Sequence, residues 1–521
     1  TRSMPSAYNV TMINSISMKL CVCLDACGLS AYALKPLAGG PSAVDRVWSV
    51  VTQLPGVVRT VVLADRTTPK EVLRGASAVF RDRWDTAVLI KALEEAQGEA
   101  QEAQGTEALL YCRLDTPFLD AEVTRQMLAN HYTYVAEYSF ADGYPEGVTP
   151  EIVDPRILGR LLTLAEGAPE PVDRRGLFAV VQKDINAFDV ETELSPVDLR
   201  MLRATLACDI RRNFILCDRI AGKTTGNARE VGELLQRRGE LLRTLPAFTS
   251  IQVVEGDVQR PIHSPYPLIR PDALETRSEM SRARFEALVQ ELAEFAPDGM
   301  VHISLWGEVG LHSDVAGLVE AVEAQPGLDL LVETSGVGWQ SETLAAVARM
   351  HLASTRFIVD LDTDDEESYR RVRGEGFQEA RRTADTLLEA HGERVYVQAV
   401  RMQETEAEVE AFYRAWKQRG AQVIVQKYDH YCGRLPDRRV ADISPVSRFP
   451  CRHTQRDLYV LADGTVPMCR EDIDRDHSMG NVFEDGIETV WNNASEAHLR
   501  QVRQDYPELC RGCDEYYTFN Y

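Results

Sequence analysis

Four cysteines, Cys451, Cys469, Cys510 and Cys513, crowd into the final segment of a 521-residue chain that holds eleven in all. Their spacing is C-x17-C-x40-C-x2-C, in a stretch rich in charges and poor in aliphatic residues. Cysteines so sparse and so uneven do not make a disulfide framework. Four thiolates close a tetrahedral sulfur shell, which suits either zinc or an iron–sulfur cluster, and a segment with a thin apolar inventory needs such a staple. Zinc ribbons bring two close C-x2-C pairs and only one is present, so the residues favour a cluster over zinc, and both over incidental buried cysteines.

The rest of the chain is too long for one hydrophobic core and predicts two to four domains. Lys plus Arg number 57 against 80 Asp plus Glu, a formal net charge of -23. That field repels phosphate backbones and anionic lipid, which excludes general nucleic-acid binding. No window approaches 18 uninterrupted apolar residues, and the start lacks a charged patch followed by a long apolar run. The expectation is a cytoplasmic chain without membrane association, conditional on the true start, since the first residue is Thr rather than Met.

From Lys19 strand-like and helix-like segments alternate, which predicts an α/β protein of parallel sheets covered by helices. KLCVCLDAC reads as a buried strand, PSAVDRVWSVVTQL as a helix and RTVVLAD as the next strand, while the acidic, Gln-rich tract EAQGEAQEAQGTE reads as a solvated loop. These define a domain over 18–222, followed by a helical connector over 223–247. A second series over 248–445 places six strands between helices, the rhythm of a partial (β/α)6 barrel. The small cysteine-rich tail, 446–521, has no such rhythm.

The tail resembles a SPASM domain, the cluster-binding extension of many radical SAM enzymes. Cys451, then Gly464 with Cys469 five positions after it, then Gly480, Asn481, Phe483, Trp491 and Arg500, then Cys510 and Cys513, match that family's pattern in order. A full SPASM domain adds cysteines for a second cluster; none follows here, so the resemblance implies one 4Fe-4S cluster held by Cys451, Cys469, Cys510 and Cys513. Cys432, just before the tail, is either a spare ligand or a loop cysteine without a role.

Residues 248–445 then resemble a radical SAM barrel. LWGEVGLHSD is similar to that family's GGE segment through Gly307 and Glu308, and VDLDTDDEESYRRVRGEGF to another of its turns. Radical SAM chemistry needs three thiolates in C-x3-C-x2-C after the first strand. Asp257, Pro261 and Ser264 stand at those positions, and no Cys lies between Cys217 and Cys432. Proline cannot ligate, and Asp or Ser oxygen is a poor match for iron–sulfur chemistry. Cleavage of S-adenosylmethionine is therefore not expected, and Gly307 and Glu308 are read as packing the barrel turn.

The N-terminal domain resembles the nucleotidyltransferase-like, Rossmann-like fold of cytidylyltransferases. LLYCRLDTPFLDAEV matches a D-x-P-F-L segment in which Asp115 would hold Mg2+, and Tyr144, Pro145, Gly147 and Glu151 match a further segment. The phosphate loop departs from the family: residues 21–34 hold no basic residue, and Lys35 alone remains, with Gly39 and Gly40 after it. Cys21 and Cys23 point to one face of a strand and read as core, with Cys27 close by.

The whole is similar to the spirochaete-associated spiro-SPASM family. The leading expectation is an iron–sulfur protein whose one cluster is structural or passes electrons, with a barrel repurposed for binding in a modification pathway and an electron-transfer protein or pathway component as partner. The alternatives are an Mg2+-dependent nucleotidyltransferase using Asp115, and a non-catalytic scaffold.

Overall fold

The computed structural model describes residues 19–103, 106–224, 226–266, 274 and 278–518. They form two compact units, Thr1–Leu242 and Arg243–Tyr521.

The first unit is built on a seven-stranded sheet. Its strands are β1 (Leu20–Asp25), β2 (Val57–Ala64), β3 (Ser77–Phe80), β4 (Ala108–Arg113), β5 (Tyr138–Asp142), β6 (Glu151–Val153) and β7 (Val190–Leu194), in spatial order β3-β2-β1-β4-β6-β5-β7. β1 pairs in parallel with β2 and β4, whereas β6 runs antiparallel to both its neighbours. Every residue of β1 is buried because helices cover both faces: Leu20, Val22 and Leu24 enter one core, and Cys21 and Cys23 the other. Those two cysteines are core residues, as their strand periodicity requires.

Two expectations are corrected here. The acidic tract continues the helix Thr86–Ala103, because Leu89, Ile90, Leu93 and Ala96 give it a buried stripe and its Ala, Glu and Gln are strong helix formers. Residues 104–105 of that tract lie outside the described residues. The expected connector is built into the first unit as far as Leu242. Its helix Ala228–Arg237, capped by the Asn227 side chain accepting from the Glu230 amide, buries Ala228, Val231 and Leu235 in the first unit's core.

In the second unit, β8 (Phe248–Ile251), β11 (Met300–Ile303), β12 (Asp329–Thr334), β13 (Thr355–Asp360), β14 (Val395–Arg401) and β15 (Gln422–Lys427) follow one another side by side, all parallel. A short hairpin of β9 (Val254–Glu255) and β10 (Ser278–Glu279) interrupts the series after the first strand. The tail contributes what its sequence did not suggest: β16 (Asp457–Val460) pairs in parallel with β8 as a seventh strand of the same sheet. A small antiparallel pair, β17 (Thr465–Pro467) with β18 (Ser478–Asn481), continues from it.

Beyond a small cluster of Tyr459, Met468, Cys469 and Cys510, the tail's apolar side chains join the core of the barrel. Leu458, Val460, Val466, Val482, Ile487, Val490 and Trp491 join one cluster with Ile251, Val301 and Leu330 of the barrel. At the start of this unit, buried Arg243 lies over the Trp491 ring at 3.6 Å and donates to the Trp491 carbonyl at 2.7 Å and the Thr454 carbonyl at 3.1 Å.

Candidate metal centre and barrel lumen

The successive strands β16 and β17 and the helical turn Glu508–Arg511 bring the four cysteines together. Cys451 immediately precedes the helix Arg452–Arg456 that leads into β16; Cys469 follows β17; Cys510 lies in the turn Glu508–Arg511, with Cys513 just beyond it. All four line one small cavity, along with Arg448, His453, Thr454 and Leu509. Gly464 makes the β16–β17 turn possible: its φ is +90°, and a Cβ there would lie 2.4 Å from the Asn481 carbonyl oxygen of the side chain and from the Phe483 ring.

The donor set suits a soft metal group. Burial, then the neighbouring thiols, push the Cys451 and Cys510 thiols up; burial, Glu471 and the other thiols do the same to Cys469. Thiolates gathered in a buried cavity repel one another until a metal group neutralises them. The sulfurs also receive hydrogen bonds, from Gln501 Nε2 to Cys510 at 3.1 Å and from the Glu515 amide to Cys513 at 3.3 Å. The cavity, the sulfurs and their donors fit an iron–sulfur group.

Cys432 stands beside this group, with Sγ 4.0 Å from Glu471 Oε2 and its backbone carbonyl against Gly512. Tyr431 and Cys432 both have left-handed φ, +48° and +54°, so a strained turn holds that thiol near Cys513. Nearby, Asp429, Asp514 and Glu515 bring three carboxylates together. Lys427 reaches Asp514 at 3.0 Å, and Arg470 reaches Asp429 at 2.8 Å and Glu515 at 3.3 Å, so the cluster of charge is already neutralised from within.

The barrel encloses a second cavity, of about 380 Å³. Asp257, Pro261 and Ser264 line it, where a radical SAM barrel would present three sulfurs. Asp257 Oδ1 accepts from the Val258 and Gln259 amides at 2.7 and 3.0 Å, and Ser264 Oγ accepts from the Tyr266 amide at 3.3 Å. These are turn-forming bonds, and a proline with two oxygens does not fit a cluster that needs three thiolates. Gly307 has φ +111°, and a Cβ there would come within 2.2 Å of the Val254 carbonyl. Glu308 is buried, and its carboxylate accepts from Thr334 Oγ1 and from the Ser335 and Gly310 amides. Both residues tie the end of β11 to its neighbours, as the packing reading of that turn expects.

Across the lumen floor, neighbouring strands present polar side chains in register. His302 Nε2 lies 2.8 Å from Glu333 Oε2, its Nδ1 lies 2.8 Å from Ser250 Oγ, and Gln398 Nε2 donates to Asp360 Oδ1 at 2.8 Å and Glu333 Oε1 at 3.2 Å. Arg470 and Glu515 line both this cavity and, with the four cysteines, the smaller one.

In the first unit, Asp115 is buried after β4, and Arg174 donates to both its carboxylate oxygens. Arg174 also donates to Asp209 at 2.9 Å, and Arg113 lies 3.8 Å from Asp115. Lys35 is exposed, its ammonium 4.5 Å from the centre of the Tyr32 ring, and no hydrogen bond or ion pair among the described residues joins it to Asp115. Glu151 accepts from the Tyr138 hydroxyl and from the Leu177 and Phe178 amides, and Gly147, at φ +89°, lets the Leu206 carbonyl approach to where a Cβ would lie 2.5 Å away. Sequence reasoning passed over Arg174, which sits in an unremarkable Asp-Arg-Arg loop, and over the lumen carboxylates Glu333 and Asp360, which read only as strand residues.

Residues 451–514 match the SPASM family, an iron–sulfur cluster-binding domain. The C-terminal region is thus an iron–sulfur-binding domain, packed on the parallel sheet of the second unit. An uncharacterized protein of Treponema pallidum (strain Nichols) is 36% identical over 359 residues, covering 66% of this chain and 98% of that protein. A second uncharacterized Treponema pallidum protein is 32% identical over 141 residues, 25% of this chain and 64% of its own. Among solved structures, BtrN in complex with AdoMet and 2-DOIA is 16% identical, covering 52% of this chain and 94% of that one with a TM-score of 0.37. Streptococcus suis SuiB bound to precursor peptide SuiA gives 14%, 56%, 76% and 0.41, and a cytidylyltransferase from Leptospira borgpetersenii gives 15%, 43%, 96% and 0.36. At those identities and scores, no activity or ligand carries over to this chain. No helix among the described residues is long and apolar enough to cross a membrane.

Proposed function

Since this chain belongs to the family of the uncharacterized Treponema pallidum protein and carries an iron–sulfur-binding SPASM domain, we propose that it holds one 4Fe-4S cluster on Cys451, Cys469, Cys510 and Cys513. The barrel beside it serves to bind a ligand rather than to cleave S-adenosylmethionine. The observation that carries this reading is the convergence of four buried or half-buried thiols on one cavity, against an Asp, a Pro and a Ser on the wall of the other.

When bound, such a cluster supplies one-electron chemistry and a staple for the tail. The chain's own groups set its surroundings. Gln501 and the Glu515 amide donate to two of the sulfurs, and such donors tune a cluster's potential. Arg470, next to Cys469, sets a guanidinium between this site and the lumen. An electron-transfer protein as partner, and a place in a modification pathway, follow from the same reading.

The test is iron, sulfide and zinc content with electron paramagnetic resonance on protein purified without oxygen. About four irons and four sulfides per chain are expected, with both lost in Cys510→Ala and Cys513→Ala. One zinc without sulfide, or unchanged iron in both variants, sinks the assignment. Formation of 5′-deoxyadenosine by the reduced protein would overturn the second half of the proposal.

A further inference from the structure

The barrel lumen has an uneven charge economy. Its described cations are Arg373, Lys427 and Arg470, and each already faces carboxylates: Arg373 donates to Asp362 at 2.7 Å, Lys427 pairs with Asp514 and Glu515, and Arg470 with Asp429 and Glu515. Glu333 and Asp360, on adjacent strands β12 and β13, have no Arg or Lys partner among the described residues. They share one Gln398 amide, which brings two half-buried carboxylates close together on the cavity wall. Burial and then the Glu333 charge push the Asp360 carboxyl well above its usual range against the pull of Arg373, while His302, 2.8 Å away, and Arg470 hold Glu333 below its own despite burial.

A histidine also lines this cavity. His263 Nε2 lies 3.5 Å from Asp362 Oδ2, which assigns its proton to that nitrogen, and the buried Nδ1 finds no hydrogen-bond partner among the described residues. Burial lowers the His263 pKa, so Nδ1 presents a lone pair. The wall also carries Phe248, Tyr431 and Tyr459, whose rings suit the apolar body and the positive head of a small amine. A metal ion is the poorer occupant, because the only trio of His, Cys, Asp or Glu close enough to hold one among the described residues is the neutralised Asp429, Asp514 and Glu515.

We propose that the lumen binds a small organic cation, an ammonium or guanidinium compound, whose charged head sits on Glu333 and Asp360. This rests on the reading of the barrel as a binding site and names its ligand class. Because Arg470 and Glu515 border both cavities, the bound molecule lies next to the four-cysteine site.

The experiment is calorimetric titration and thermal melting of the full-length protein with agmatine, spermidine and L-lysinamide, beside glutarate as an anionic control and 1,4-butanediol as a neutral one. At least one amine should bind and raise the melting temperature, and glutarate and butanediol should not. Glu333→Gln and Asp360→Asn should each weaken the amine at least about tenfold, the loss of one charge-assisted contact. Without ligand, Asp360→Asn should melt no lower than wild type, because the amide replaces a carboxyl that burial and the Glu333 charge already keep protonated; a purely structural Asp360 would lower it. Failure of all three amines to bind, stronger binding of glutarate, or unchanged affinity in both variants overturns the proposal. Iron and sulfide are measured on the same preparations, so loss of the cluster reading and loss of the cation reading are separate results.

Discussion

Replacing Arg243 with alanine should cost the second unit about 4 kcal/mol. The buried guanidinium donates to the Trp491 carbonyl at 2.7 Å, Ser495 Oγ at 3.0 Å and the Thr454 carbonyl at 3.1 Å, and it stacks on Trp491. A hydrogen bond to a charged group contributes about 1.5–3 kcal/mol, so three are worth roughly 4.5–9 kcal/mol gross. Cation–π contact adds about 1 kcal/mol, and against this stand about 2 kcal/mol of regained side-chain freedom and partial rehydration of the orphaned carbonyls. The net places the variant among the larger single-residue effects. For a unit the size of Arg243–Tyr521, with about 2.1 cal/mol/K per residue of unfolding entropy, the midpoint should fall by about 7 °C. Differential scanning calorimetry reads this, and hydrogen exchange should rise in the helices Arg452–Arg456 and Ile487–Asn493. Thr454 follows Cys451 by three residues, so iron should also be lost faster to a chelator. Arg243→Lys should recover part of the loss, since an ammonium cannot reach all three acceptors. A midpoint within about 2 °C of wild type would refute the view that this residue clamps the tail to the barrel.

Other outcomes follow from single contacts. Gly464→Ala should destabilise the tail by roughly 2–4 kcal/mol, through left-handed strain and the clash with Asn481 and Phe483, read as a lower melting point and weaker iron retention. Cys469→Ser should abolish iron binding while Cys432→Ser retains it; the reverse pattern would make Cys432 the ligand. Burial raises the Glu151 pKa to about 7, so the native state holds a proton that the unfolded chain releases near pH 4.3. Its contribution is full in acid and is lost as pH rises through 7, so Glu151→Gln should flatten the first unit's stability between pH 5 and 8 by on the order of 2 kcal/mol, measured by urea unfolding. Because Arg174 holds both Asp115 oxygens, Mg2+ with CTP should leave the wild-type melting temperature unchanged; a shift that disappears in Asp115→Ala would instead support the nucleotidyltransferase alternative.

Short-range signals in the sequence determined a good deal. The spacing of Cys451, Cys469, Cys510 and Cys513 and the Gly464 turn are local chemistry, and six apolar strands between helices after residue 248 are local periodicity, so both can be read along the chain. Asp257, Pro261 and Ser264 could likewise be read as positions without sulfur. Partnerships across long stretches of chain were decided only by the fold. β16 completes the barrel sheet against β8 from some two hundred residues away, and its charged surroundings hid the strand. Arg174 reaches Asp115 from a loop 59 residues on, and Glu333, Asp360 and Gln398 meet because parallel strands align their inward faces. A strand's own periodicity tells which side chains turn inward, but which charges then face each other depends on pairing between strands, and that is fixed by packing of the whole unit.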